Sequence, residues 1–160
     1  MNINIRSATQ EDARRITEIY LASRKTFLDF APLVHSDREV GEWIAEKLVP
    51  AGVAVAEIDG TIAGFLASSR EAEISWIDQV YLNPDSVARG IGTKLLRSAM
   101  RSLPTPIRLY TFQQNTGARR FYERFGFRLV ALGDGSLNEE GCPDALYEYD
   151  SGRDGQCAYE

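Results

Sequence analysis

The chain has 160 residues, 44% hydrophobic and 26% charged, a composition that predicts one globular domain with a real core and excludes a disordered or fibrous protein. A net charge of −5 and a pI near 5.0 argue against a surface built for nucleic acid or anionic lipid. One histidine and two cysteines without Cys-x-x-Cys spacing, Cys142 and Cys157, argue against a metal site or a disulfide framework and predict free thiols.

The opening MNINIRSATQED has no apolar stretch of signal-peptide length and no run approaches a membrane span, so the expected location is the cytoplasm. Asn2 to Arg6 alternates Ile3 and Ile5 with polar residues, which suits a short strand. Thr9-Gln10-Glu11-Asp12 reads as a helix start, continued by Ala13, Ile16, Ile19, Tyr20 and Ser23 at helical spacing. Ser36 to Glu39 repeats the capping pattern ahead of Val40, Trp43, Ile44 and Leu48, the stripe of a second helix. An aromatic connection with Phe27, Phe30 and His35 joins the two.

From Val53 the period changes to two. VAVAEIDGTIAGFLASS predicts two strands around Asp59-Gly60, a dipeptide suited to the positive backbone angles of a tight hairpin. EISWIDQVYL is a third strand, followed by a helix from Gly90 to Ser102, a strand from Ile107 to Phe112 and a helix from Thr116 to Phe125 ended by Gly126. FRLVALG and ALYEYD form a last strand pair joined by the polar loop DGSLNEEGCPD. The predicted order is β-α-α-β-β-β-α-β-α-β-β, an α/β fold with a mixed central sheet. Residues 1–150 are expected to form a single domain and residues 151–160 a loose tail.

Two glycines at the start of the third helix raise the question of an anion site. The first turn of a helix presents N–H groups without internal partners and about half a positive charge. Gly90 and Gly92 would let a phosphate approach those amides closely, with Arg89 and Thr93 beside them. A lone Gly-x-Gly is equally the flexible junction that any loop-to-helix turn needs. The Walker order of Gly-Lys-Ser/Thr is absent, and position 95 is Leu where a dinucleotide fingerprint has a third glycine.

WIDQVYLNPDSVARGIGTKLL, followed after one strand by NTGARRFYERFGF, resembles the GNAT (Gcn5-related) family of N-acetyltransferases over about residues 3–149. The resemblance implies the GNAT fold, acetyl-coenzyme A as cosubstrate and acetyl transfer to a primary amine of a small molecule or peptide. The family's pyrophosphate loop, Q/R-x-x-G-x-G/A, falls on Val87, Ala88, Arg89, Gly90, Ile91 and Gly92, and Val87 departs from it. The strand bulge of the family would put Val80, Tyr81 and Leu82 beside the pantetheine, with the Leu82 N–H as an oxyanion donor.

Transfer from a thioester to an amine needs a neutral amine, an oxyanion donor and a proton for the departing thiolate. Ala118, Phe121, Tyr122 and Phe125 recur at helical spacing, so Tyr122 faces the core side. Spacing alone reads it as a core aromatic; the resemblance implies the acid that reaches the coenzyme sulfur. Asn115 matches a pantetheine-contacting position and is also a natural N-cap. Alternation puts Asp78 on one strand face with Ile74, Trp76, Val80 and Leu82, where burial would raise its pKa and make it a better base. A structural hydrogen bond explains such an acid equally well, and Glu73 or a water chain are alternative bases.

The acceptor pocket is expected to draw on Tyr20, Arg24, Phe27, His35, Glu139 and Glu140, each of which is also readable as ordinary surface or core. The acceptor amine itself, and a homodimer, are the partners the resemblance suggests; nucleic acid and membrane are not expected. A non-catalytic coenzyme A-binding sensor or scaffold is the alternative, which Val87 and the unassigned base keep open. Acetylation of charged tRNA fits the acidic balance poorly.

Overall fold

The computed structural model describes residues 2–151; the expected loose tail and Cys157 lie outside the described residues, apart from Ser151. The element order agrees with the α/β expectation: β1 (Ile3–Ser7), α1 (Ala13–Phe27), α2 (Asp37–Trp43), a π-helical turn (Ile44–Leu48), α3 (Val49–Ala51), β2 (Val53–Ile58), β3 (Thr61–Glu71), β4 (Ile74–Leu82), α4 (Ile91–Ser102), β5 (Ile107–Phe112), α5 (Thr116–Arg124), β6 (Arg128–Gly133) and β7 (Asp144–Tyr149). The seven strands make a mixed sheet. The described residues separate into two compact units, 2–69 with 78–102, and 70–77 with 103–151.

In the first unit β1 pairs antiparallel with β2 and β2 with β3. The β2–β3 turn is Asp59-Gly60 with φ of 51° and 81°, the two positive angles that match a hairpin to strand twist. Ile16, Ile19 and Tyr20 of α1 and Val40 and Ile44 of the second helix pack on Val53, Val55, Phe65 and Ala67 of β2 and β3. The helix starts are fixed locally. The Ser36 side chain accepts from the Glu39 N–H and the Glu39 carboxylate from the Ser36 N–H. At α1 the Asp12 carboxylate accepts from the Thr9 N–H and is gripped by Arg6. The second helix widens into a π turn after Trp43, which periodicity did not anticipate.

In the second unit β4 and β5 are parallel, and β5–β7 and β7–β6 are antiparallel. The face carrying Ser75, Ile77, Ile107, Leu109, Ala145 and Tyr147 is buried. Trp76 lies on the other face, stacked on Tyr110 with ring centroids 5.6 Å apart and planes 6° apart. Tyr110 is exposed.

Two expectations about β4 are corrected. Glu73 lies in the two-residue turn Ala72-Glu73 before β4, with φ of 50° and 67°, and is exposed there. The apolar alternation of Ile74, Trp76 and Asp78 marks the less buried face, because the residue that belongs inside is Ser75. Its hydroxyl donates to the Pro104 carbonyl at 2.6 Å and accepts from Arg70 at 3.2 Å, so a small polar group is satisfied without water.

Candidate active site

The turn ahead of α4 is built from alternating backbone signs. Val87 is extended, with φ −69° and ψ 159°. Ala88 and Gly90 are left-handed, with φ of 63° and 80°, and Arg89 between them is not. Such alternation points successive N–H groups to one side and makes a concavity for an anion. Ala88 is notable because a side chain there costs about 1–2 kcal/mol relative to a relaxed conformation. Lys94 N–H bonds to Gly90 O at 3.1 Å, so the helix begins at Ile91, one residue later than expected. Ile91 is buried and anchors the turn, Gly92 and Thr93 are half-buried, and Val87, Ala88, Arg89 and Gly90 are exposed. An anionic phosphate fits this set of amides, glycines and one arginine.

Val80, Tyr81 and Leu82 are half-buried at the end of β4. Tyr81 meets the Tyr20 ring edge-on at 4.9 Å. Leu82 occupies the space that Gly64 leaves open, since a Cβ at Gly64 would lie 2.6 Å from Leu82 Cδ2. The β4–β5 ladder ends at Ile77–Leu109, five residues before β4 does.

Asp78 is exposed, which corrects the expectation of a buried acid. Its carboxyl is still partly desolvated by its neighbours, and this raises its pKa above the usual carboxylate range against the opposing Ser69 hydrogen bond. The two observations agree when solvent reaches one side of the group only.

On α5, Asn115 is the N-cap and its side-chain oxygen accepts from the Ala118 N–H at 3.2 Å. Tyr122 is buried as its spacing predicts, its ring edge-on to Phe121 and Phe127. Burial pushes its pKa up to about 12, so the phenol keeps its proton through neutral pH.

The acceptor candidates separate. Tyr20 and Arg24 are both buried and bonded to each other, Arg24 Nη1 donating to the Tyr20 hydroxyl at 3.2 Å. Arg24 also donates to the Pro32 carbonyl. Phe27, at the end of α1, is 45% exposed, and His35 is exposed 3.8 Å from Glu39. Glu139 is exposed and Glu140 half-buried in the β6–β7 loop, whose shape is held by Asn138 bonding to Cys142 and Asp144. The sequence reading passed over Trp43, which packs edge-on against Tyr20 at 5.8 Å, and Tyr147, whose hydroxyl ties β7 to α5. Both had the spacing of core aromatics and nothing more.

The profile of the acetyltransferase (GNAT) family matches residues 14–127. The chain belongs to the GNAT family. As a GNAT protein it is an acetyl-CoA-dependent N-acetyltransferase. It is 28% identical over 148 residues to the peptidyl-lysine N-acetyltransferase YjaB of Salmonella typhimurium, covering 91% of this chain and 96% of that one. An uncharacterized N-acetyltransferase of Methanocaldococcus jannaschii, MJ1207, is 27% identical over 137 residues; the match takes in 77% of this chain and 59% of that longer relative. The GNAT fold is shared with the PaiA N-acetyltransferase of Thermoplasma acidophilum, solved in complex with coenzyme A, at a TM-score of 0.72 and 24% identity, over 94% of this chain and 99% of that one. Among the described residues no helix is long and apolar enough to cross a membrane.

Proposed function

We propose that Val87, Ala88, Arg89, Gly90, Ile91, Gly92 and Thr93 hold the pyrophosphate of acetyl-CoA, and that Tyr122 gives the proton to its departing thiolate. The observation that carries the reading is the pair of left-handed residues, Ala88 and Gly90, turning amides outward at the start of α4. In the same reading the main chain of Val80, Tyr81 and Leu82 pairs with the pantetheine amides, which is supported by the early end of the β4–β5 ladder. The Leu82 N–H is the oxyanion donor, and Asn115 and Ala118 contact the arm from the start of α5. Asp78 takes the proton of the amine, and its raised pKa suits that task better than an ordinary carboxylate would.

The acceptor is a primary amine on a small molecule or peptide, transferred to directly. The YjaB relative's name puts lysine side chains first in order of trial. Half-buried Trp43 and Tyr81, packed on the buried Tyr20, offer aromatic surface for the alkyl chain and cation of such an amine, since a ring face attracts an ammonium group. Phe27, His35, Glu139 and Glu140 complete the acceptor set, and Arg24 holds the Tyr20 hydroxyl. Residues 1–150 act as one catalytic domain in the cytoplasm; a homodimer is the assembly that the family resemblance suggests.

Calorimetry with acetyl-CoA, followed by thiol release against lysyl peptides and polyamines, tests the reading. Saturable binding and turnover of at least one amine are expected; no heat at millimolar acetyl-CoA refutes it. Tyr122→Phe is expected to lower kcat about a hundredfold with little change in the acetyl-CoA Kd. Wild-type turnover in that variant removes the acid role of Tyr122.

A further inference from the structure

Tyr147 sits in the middle of β7, opposite Leu109 of β5 and Leu129 of β6. Its side chain is fully buried, and strands on both sides fix its backbone. Its hydroxyl reaches α5, donating to Glu123 Oε2 at 2.6 Å and accepting from Arg119 Nε at 3.0 Å. Arg119 and Glu123 are one helical turn apart, so they hold the hydroxyl from two sides. Both bonds involve an ionised partner, and the one to Glu123 is short, as a charge-assisted O–H···O bond is. Tyr122 lies within this turn, next to Glu123.

A nine-residue helix such as α5 is marginal by itself and takes its position from what it packs against. The Asn115 cap fixes where α5 starts, but it is a bond within the helix and does not set the helix against the sheet. Phe121 and Phe127 hold the Tyr122 ring by contact, which resists tilt better than sliding. The Tyr147 hydroxyl supplies a directional tie from the rigid strand.

We propose that Tyr147, through Arg119 and Glu123, is a positioning residue for Tyr122: it fixes the register of α5 on β7 and so the place of the Tyr122 hydroxyl. This rests on the acid role proposed for Tyr122. Misplacement of a reacting group by an ångström or less costs one to two orders of magnitude in rate. A residue that merely stabilises the fold would lower the unfolding temperature and leave kcat alone.

The test is a double-mutant cycle read in kcat, with saturating acetyl-CoA and whichever of a lysyl peptide or spermidine turns over faster. Tyr147→Phe keeps the buried ring, and the groups it releases, on exposed Glu123 and half-buried Arg119, can be solvated, so the protein is expected to fold. Tyr147→Phe alone is expected to lower kcat about tenfold. In the Tyr122→Phe background the same change is expected to lower it less than about twofold, because the group it positions is gone. Glu123→Ala, made on the surface, should show the same dependence on background, and Glu123→Gln, which keeps an acceptor, should restore most of the rate. An unchanged kcat in Tyr147→Phe, or an equal loss in both backgrounds, overturns the proposal. Tyr122→Phe by itself reports separately on the acid role.

Discussion

Replacing Gly64 with alanine gives a sharp test of how the end of β4 is packed. Gly64 is buried in β3 and has no left-handed backbone angle, so nothing local demands glycine. At such a position Gly→Ala ordinarily stabilises by about 0.4–1 kcal/mol by restricting the unfolded chain. Here the added methyl would lie 2.6 Å from Leu82 Cδ2, 3.1 Å from the Tyr81 carbonyl oxygen and 3.3 Å from Ile91 Cγ2. The leucine methyl can rotate away, but the carbonyl belongs to the sheet backbone and Ile91 anchors the first turn of α4. Relief in one direction tightens another. Overpacking of this kind costs about 1–3 kcal/mol, so the net effect is a loss of about 1–2 kcal/mol. For a chain of this size that lowers the Tm by about 2–8 °C. Thermal unfolding followed by far-UV circular dichroism, at one pH and without ligand, measures it. Leu82→Ala should couple with Gly64→Ala by about 1 kcal/mol or more. A Tm at or above the wild-type value in the single variant refutes the packing argument.

Gly90→Ala meets no atom within 4 Å, so its cost comes from φ of 80°, about 1–2 kcal/mol, and calorimetry should show weaker acetyl-CoA binding; equal affinity would disconnect the turn from the coenzyme. Asp78→Asn should abolish the acid limb of the kcat/KM profile, which in the wild type is expected above the ordinary carboxylate range because desolvation raises the Asp78 pKa. Retention of that limb assigns the base elsewhere. Asp12 is held down to about 2, from an ordinary 3.8, by the Arg6 guanidinium, so its ionised form stabilises the fold above pH 4 and that contribution disappears as pH falls through about 2. With Arg6 partly solvated the contribution is about 1 kcal/mol: Asp12→Asn should melt a few degrees below wild type at pH 7, and the gap should close near pH 2. A gap that persists in acid would trace the stability to packing.

The features that sequence reasoning located correctly are those made by neighbours along the chain. Asp59-Gly60 forms its turn because those two residues tolerate positive φ, and Ser36 with Glu39 closes a capping box within one helical turn. Asn115 caps α5 for the same local reason, and the spacing of Ala118, Phe121, Tyr122 and Phe125 already puts Tyr122 inside. The turn from Val87 to Gly92 was legible as a loop running into a helix. Its left-handed Ala88 was not, since alanine gives no signal for that angle.

The order of elements, their caps and the tight turns are therefore readable from the residues alone, because helical and strand periods and short-range hydrogen bonds act within a few residues. Which face of β4 is covered depends on how the folded chain packs. Ser75 is inside because Pro104, 29 residues away, and Arg70, across the turn before β4, satisfy its hydroxyl, and Asp78 is outside although its neighbours are apolar. The same holds for Tyr147, whose partners on α5 lie 24 and 28 residues away. A hydrogen bond of that range depends on how strands and helices are brought together, and no local pattern encodes it.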